Sequence, residues 1–184
     1  PKNYDRLIEI YEALAAHGYR EVGQEYLQNV LDTAKQLDAY DSGRIYYYLG
    51  EYQKAYLALD EARDKGGADS YLYLGRAYAA TGDYNYASSV YNNYLSKQGP
   101  NAEIYNELGL CEMAKKEYQN ALAAFQAGKQ IEGNSLMQTL CFNEIVAYEY
   151  LEDYQQAEVL MNAYLQNYPD DQTAIREQQF LSTR

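Results

Sequence analysis

One pattern returns along this chain at a nearly fixed spacing, and that period limits the fold more than any other feature. Tyr71, Leu74, Gly75, Tyr78, Gly82, Tyr84, Ala87 and Tyr91 are matched by Tyr105, Leu108, Gly109, Glu112, Lys116, Tyr118, Ala121 and Phe125, each 34 positions later. Gly43, Tyr46, Gly50, Tyr52, Ala55 and Leu59 carry the same pattern 32 positions earlier. Further on, Phe142-Asn143-Glu144-Ile145 echoes Tyr105-Asn106-Glu107-Leu108, followed by Tyr154, Ala157, Met161 and Tyr164. A period of this length marks stacked units, each too small to bury a core alone. Within each period the apolar residues fall at helical spacing in two blocks separated by a turn.

The order aromatic, Leu-Gly, aromatic, Ala, aromatic at this period resembles the tetratricopeptide repeat, a helix–turn–helix unit. The resemblance implies an all-α fold: a right-handed α-solenoid with a C-terminal capping helix, residues 1–184 forming a single domain. The repeats are expected at 1–35 (degenerate), 36–67, 68–101, 102–135 and 136–171, with the cap at 172–184. In the first unit Leu7, Ile8, Tyr11, Leu14 and Ala15 recur at helical spacing, and His17-Gly18-Tyr19 breaks the helix. The next helix would place Val22, Tyr26, Leu27, Val30, Leu31 and Ala34 on one face, with Gly23 near the position of the later alanines. Its turn is expected to be longer than the others. In the 136–171 unit the turn is expected to be one residue shorter than before, with Val146 in place of the usual small residue.

Physical reasons account for the recurring residues. Ala55, Ala87, Ala121 and Ala157 belong where the two helices of a unit cross, facing Gly43, Gly75 and Gly109. Glycine inside a helix costs about 1 kcal/mol relative to alanine, so close packing must offset it. Tyr52, Tyr84, Tyr118 and Tyr154 open the second helices and can fill the gap to the next unit. Gly66-Gly67, Gly99-Pro100, Gly133-Asn134-Ser135 and Pro169 end helices, as flexible residues and proline do.

Composition narrows the partners. The net charge is −12 and the pI is near 4.5, which disfavours nucleic acid and anionic membranes, both polyanions. No apolar run approaches a membrane span. Twenty-four residues are tyrosine, against 3 Phe and no Trp, and tyrosine buries a ring while keeping its hydroxyl near water or a partner. Cys111 and Cys141 would stand at different heights on neighbouring helices, a poor geometry for a disulfide, and are expected as two buried thiols. The chain begins at Pro1 rather than Met, so a mature or trimmed fragment is expected. The acidic, tyrosine-rich, lysine-poor style resembles exported lipoproteins of anaerobic Gram-positive bacteria that carry such repeats. That resemblance implies an extracytoplasmic, lipid-anchored location, with the anchor outside this sequence, over a cytoplasmic one.

Catalytic constellations are missing. A Ser–His or Cys–His pair would need His17, the one histidine, and nothing places a nucleophile beside it. No zinc, phosphate-loop or calcium-loop pattern occurs, so neither cofactor nor metal is expected. Glu51, Asp83, Glu117 and Asp153 recur in the same turn, where negative charge favours a helix N-terminus. The chain is therefore expected to be no enzyme.

The resemblance also implies where a ligand would lie, because in the family the first helix of each unit builds the concave groove. That rule selects Tyr40, Arg44, Tyr47 and Tyr48; Leu72, Tyr73 and Arg76; Asn106, Glu107, Leu110 and Met113; and Asn143, Glu144, Ala147 and Tyr150. The early part is basic and aromatic, the later part acidic and amide-lined. Arg44 and Arg76 either contact a ligand or pair with acids such as Asp41, Asp69 or Glu107. Chaperone-binding relatives hold a C-terminal carboxylate with Lys, Asn and Arg; here those places fall on Tyr40, Arg44, Tyr73, Glu103 and Glu107, which disfavours such tails. The expected function is a non-enzymatic scaffold binding a protein or peptide. The alternatives are a receptor for a short signalling peptide and a self-assembling structural module.

Overall fold

A computed structural model describes residues 4–34 and 36–184; the start at Pro1 and the first repeat boundary at Lys35 lie outside the described residues. Among the described residues there are eleven α-helices and no strand. They are α1 (Tyr4–Ala16), α2 (Arg20–Thr33), α3 (Ala39–Leu49), α4 (Tyr52–Asp64), α5 (Ser70–Ala80), α6 (Tyr84–Gln98), α7 (Ala102–Ala114), α8 (Tyr118–Lys129), α9 (Met137–Tyr150), α10 (Tyr154–Asn167) and α11 (Gln172–Leu181). The helices pack as two compact units, Pro1–Asp83 with α1–α5 and Tyr84–Arg184 with α6–α11. Within each unit every helix packs on the next in the chain, the nearest-neighbour order of a repeat solenoid.

Each inter-helix turn is set by one residue with left-handed backbone: Gly18 (φ 84°), Gly50 (78°), Gly82 (84°), Lys116 (64°) and Glu152 (61°). These positions fix the repeat register, and they correct three expectations. The first turn, His17–Tyr19, has three residues, as do Lys115–Glu117 and Leu151–Asp153; it is not longer, and the last is not shorter. The shortest is Gly50–Glu51. With the turns aligned, Ile145 rather than Val146 takes the place of Gly109 in the 136–171 repeat.

The reason is complementary volume at the crossing. A Cβ on Gly43 would stand 2.5 Å from Leu59 Cγ, and one on Gly109 would stand 2.3 Å from Phe125 Cε1, closer than real atoms approach. Ile145 instead packs in one cluster with Ala157 and Met161, whose flexible chain makes room for a branched partner. In the first repeat the pairing is reversed: Tyr11 is the bulky residue of the first helix and Gly23 the small one of the second, its missing Cβ 2.8 Å from the Tyr11 ring. Gly23 thus holds the alanine position as expected. Val22 and Tyr26, expected on the buried face of α2, are 43% and 59% exposed, and Leu27 carries that face.

Helix ends are stabilised locally. Asp38 accepts from the Asp41 N–H, Asn101 from Glu103 and Ile104, and Asp171 from Thr173 and Ala174. Among the turn carboxylates, Asp153 accepts from the Gln156 N–H, while the longer Glu51 and Glu117 make no such side-chain cap. No helix among the described residues is long and apolar enough to cross a membrane.

Candidate functional site

In the first unit the first-helix residues converge on Tyr73 of α5, which is 9% exposed. The rings of Tyr40, Tyr47 and Tyr48 on α3 meet it edge-on, at centroid distances of 6.2, 5.9 and 6.0 Å. Edge-to-face contact places the positive rim of one ring on the negative face of another and holds both rigid. Tyr48 also lies 4.9 Å from Tyr11 of α1, and Tyr47 lies 6.1 Å from Tyr52 of α4. Two guanidiniums face the same ring: Arg44 at 5.8 Å and Arg76 at 5.6 Å from the Tyr73 centroid. Arg44 lies closer, at 4.3 Å, over Tyr40.

Arg44 is an inner post of this face. It is 5% exposed, and its two terminal nitrogens bind Asp5 of α1 at 2.6 Å and Asp41 at 2.5 Å. Burial works against its charge, but the hydrogen bonds to Asp41 and Asp5 outweigh that and raise its pKa. The pairing with Asp41 agrees with the sequence; that with Asp5 is new, because only the fold brings α1 beside α3. Tyr48 donates to Glu12 of α1, and its oxygen lies 3.4 Å from that of Tyr73. Burial foremost, then Glu12, raises the Tyr48 phenol, and burial pushes Tyr40 up to about 12 against the pull of Arg44. Both phenols stay protonated as hydrogen-bond donors. Tyr40, Tyr47, Tyr48, Leu72 and Arg76 are half-buried, so each shows part of its surface.

In the second unit the first helices are α7 and α9. Asn143 donates to Asn106 at 2.9 Å, so the two amides join α9 to α7, and Asn106 is buried. Leu110, 43% exposed, and half-buried Glu107 and Met113 stand along α7. Tyr150 is 58% exposed and stacks on Tyr118 at 5.0 Å, so a second-helix tyrosine does fill the gap to the following helix. Glu144 and Ala147 correct the expectation of a groove position. Both are buried, and Glu144 turns toward α8, accepting from Gln126 at 2.9 Å and from Lys129. Glu112 behaves alike, accepting from Ser88 of α6 at 2.9 Å and from Lys115 at 2.7 Å.

The thiols are free: Cys111 is buried and Cys141 half-buried. Burial pushes the Cys111 thiol up to about 12 and raises that of Cys141, which lines a cleft of about 330 Å³ with Lys129 and Glu144. A thiol held protonated is the opposite of an activated nucleophile. His17 is exposed in its turn, its Nδ1 2.8 Å from the Ala13 carbonyl. Among the described residues no group of three or more His, Cys, Asp or Glu could hold a metal ion.

The Tetratricopeptide repeat family model matches residues 40–87 and 74–134, a little over half of the chain. The chain belongs to the tetratricopeptide repeat family. No curated protein matches the sequence. Solved structures similar to it include a thermophilic TPR protein from Thermus thermophilus, at 16% identity and a TM-score of 0.74, with 98% of this chain and 100% of that one covered. A tetratricopeptide repeat protein from Parabacteroides merdae is similar at 18% identity and a TM-score of 0.68, covering 98% and 73%. A third, from the APC/C hetero-tetramer Cut9-Hcn1, is 18% identical with a TM-score of 0.64, covering 98% of this chain and 40% of that one. At these identities the likeness is one of fold. Proteins of this fold are generally non-enzymatic scaffolds that mediate protein–protein interaction.

Proposed function

We propose that the chain is a non-enzymatic module that binds a peptide or unfolded protein segment on the first-helix faces of its repeats. The observation that carries this reading is the tyrosine cluster around Tyr73, with Arg44 fixed beneath and Arg76 at its side. Tyrosine and arginine together make a typical binding hot spot, because rigid rings offer area at little entropic cost. The phenol of Tyr40 supplies a donor for a peptide backbone, while Tyr48 keeps its proton on Glu12. On the second unit, Leu110, Glu107, Tyr150 and half-buried Asn143, held in place by buried Asn106, offer an apolar and amide surface.

Arg44→Glu is a poor test, since it would bury a third acid beside Asp41 and Asp5. The informative experiment selects a random peptide library on wild type and on Tyr47→Ala/Arg76→Ala, with helical content monitored by circular dichroism. The expected result is a consensus that wild type enriches and the variant binds at least about tenfold more weakly with its helicity intact. Equal binding by both proteins, or no enrichment on wild type, overturns the reading.

A further inference from the structure

The tyrosine face of the first unit has a spacing and a polarity of its own. Tyr40 and Tyr47 stand seven residues apart on α3, two turns and roughly 10 Å along the helix. Both rings meet Tyr73 edge-on, at an interplanar angle of 71° in each case, so they share one neighbour and one side of α3. Both are half-buried and keep part of their surface open. The acids around them are already engaged. Asp5 and Asp41 accept from Arg44, and Glu12 accepts from Tyr48. The Tyr40 hydroxyl makes no hydrogen bond among the described residues, and burial keeps it protonated, with its pKa up at about 12. The face therefore offers ring surface and a donor, while its acceptors are taken.

A polyproline II segment asks for that combination. It turns once every three residues and rises about 3.1 Å per residue, so prolines three apart lie on one edge at roughly 9 Å. That distance matches the separation of Tyr40 and Tyr47 along α3. Proline has no N–H and needs no acceptor, while the carbonyls of such a segment are unpaired and accept from a phenol. The segment is extended before it binds, so it loses little entropy on an aromatic surface. We propose that this face docks a proline-rich segment of a partner protein in the polyproline II form. Two prolines spaced three residues apart lie on Tyr40 and Tyr47, and a backbone carbonyl accepts from the Tyr40 hydroxyl. The proposal rests on the reading of the chain as a peptide-binding module and names the class of peptide.

The test titrates the full chain, by calorimetry, with the blocked peptide Pro-Gln-Gln-Pro-Gln-Gln-Pro and with Pro-Pro-Gln-Gln-Gln-Pro-Gln. The second has the same composition but no two prolines three apart. The spaced peptide is expected to bind at least about tenfold more tightly than its isomer. Tyr47→Ala is expected to weaken it about tenfold or more, and Tyr40→Phe, which keeps the ring and removes only the donor, about threefold. Circular dichroism checks that helicity is intact in both variants. Equal binding of the two peptides, no binding of the spaced one, or affinities unchanged in both variants would overturn the proposal. The library selection judges the underlying reading separately. A consensus without proline that Tyr47→Ala/Arg76→Ala loses would keep the binding face and remove this ligand.

Discussion

At the scale of single residues, the helix crossings are governed by volume rather than by residue type. Gly109 faces Phe125, and Ile145 faces Met161 at the matching crossing. Gly109→Ala should therefore destabilise the protein by about 1–3 kcal/mol, although alanine is the better helix former by about 1 kcal/mol. Chemical denaturation checks this, and a stabilised variant would show that Phe125 moves aside freely. The two acids of Arg44 are also unequal. Asp5 is 71% exposed at its side chain and Asp41 17%, so water replaces the first partner far more readily. Asp41→Ala should cost about 1–3 kcal/mol and Asp5→Ala less than about 1 kcal/mol. Denaturation midpoints that put Asp5 first would reverse this assignment.

At the scale of elements, the helices and their ends are legible in the sequence because each carries a local signal. Gly66, Gly99 and Pro169 stop helices where the chain reads them, and the tyrosines at 52, 84, 118 and 154 begin the second helices. The register of α9 reads one position out in the sequence for a physical reason. Its Phe-Asn-Glu-Ile run copies a motif from α7, while Ile145 replaces the glycine that would have marked the crossing. Half of the candidate site is legible as well, since the family rule for first helices selects Tyr40, Tyr47, Tyr48 and Tyr73. Asp5 and Glu12 are not, because contacts between α1 and α3 depend on how a degenerate repeat stacks. The final helix depends on one residue in the same way. Asp171 accepts from the N–H groups of Thr173 and Ala174 and from the Tyr164 hydroxyl at 2.6 Å, which lowers its pKa, the Tyr164 bond foremost. Asp171→Ala should cost about 1–2 kcal/mol, expressed as earlier exchange of the α11 amides. Uniform exchange across α9–α11 in the variant would show that the cap holds no local share.

At the scale of the whole molecule, excess negative charge opposes the compact state, and one carboxyl sharpens that effect. The chain carries −12 at neutral pH, so rising pH adds self-repulsion everywhere. Glu149 adds a specific contribution, because its folded pKa of about 7 lies above the ordinary glutamate value of 4.5. A carboxyl with a raised folded pKa binds more protons in the folded chain than in the unfolded one between those two values. Its protonated form therefore favours folding below about pH 4.5, and that advantage is lost as the pH climbs from there through about 7. The partial exposure of Glu149 moderates the effect to about 1–2 kcal/mol. Urea midpoints at pH 5 and pH 8 should fall with pH in wild type. Glu149→Gln, neutral throughout, should remove the local part of that fall and leave the part due to net charge, which added salt reduces by screening. Parallel slopes in wild type and Glu149→Gln would mean that the carboxyl titrates alike in both states, so that neither burial nor Glu177 holds its proton in the folded chain.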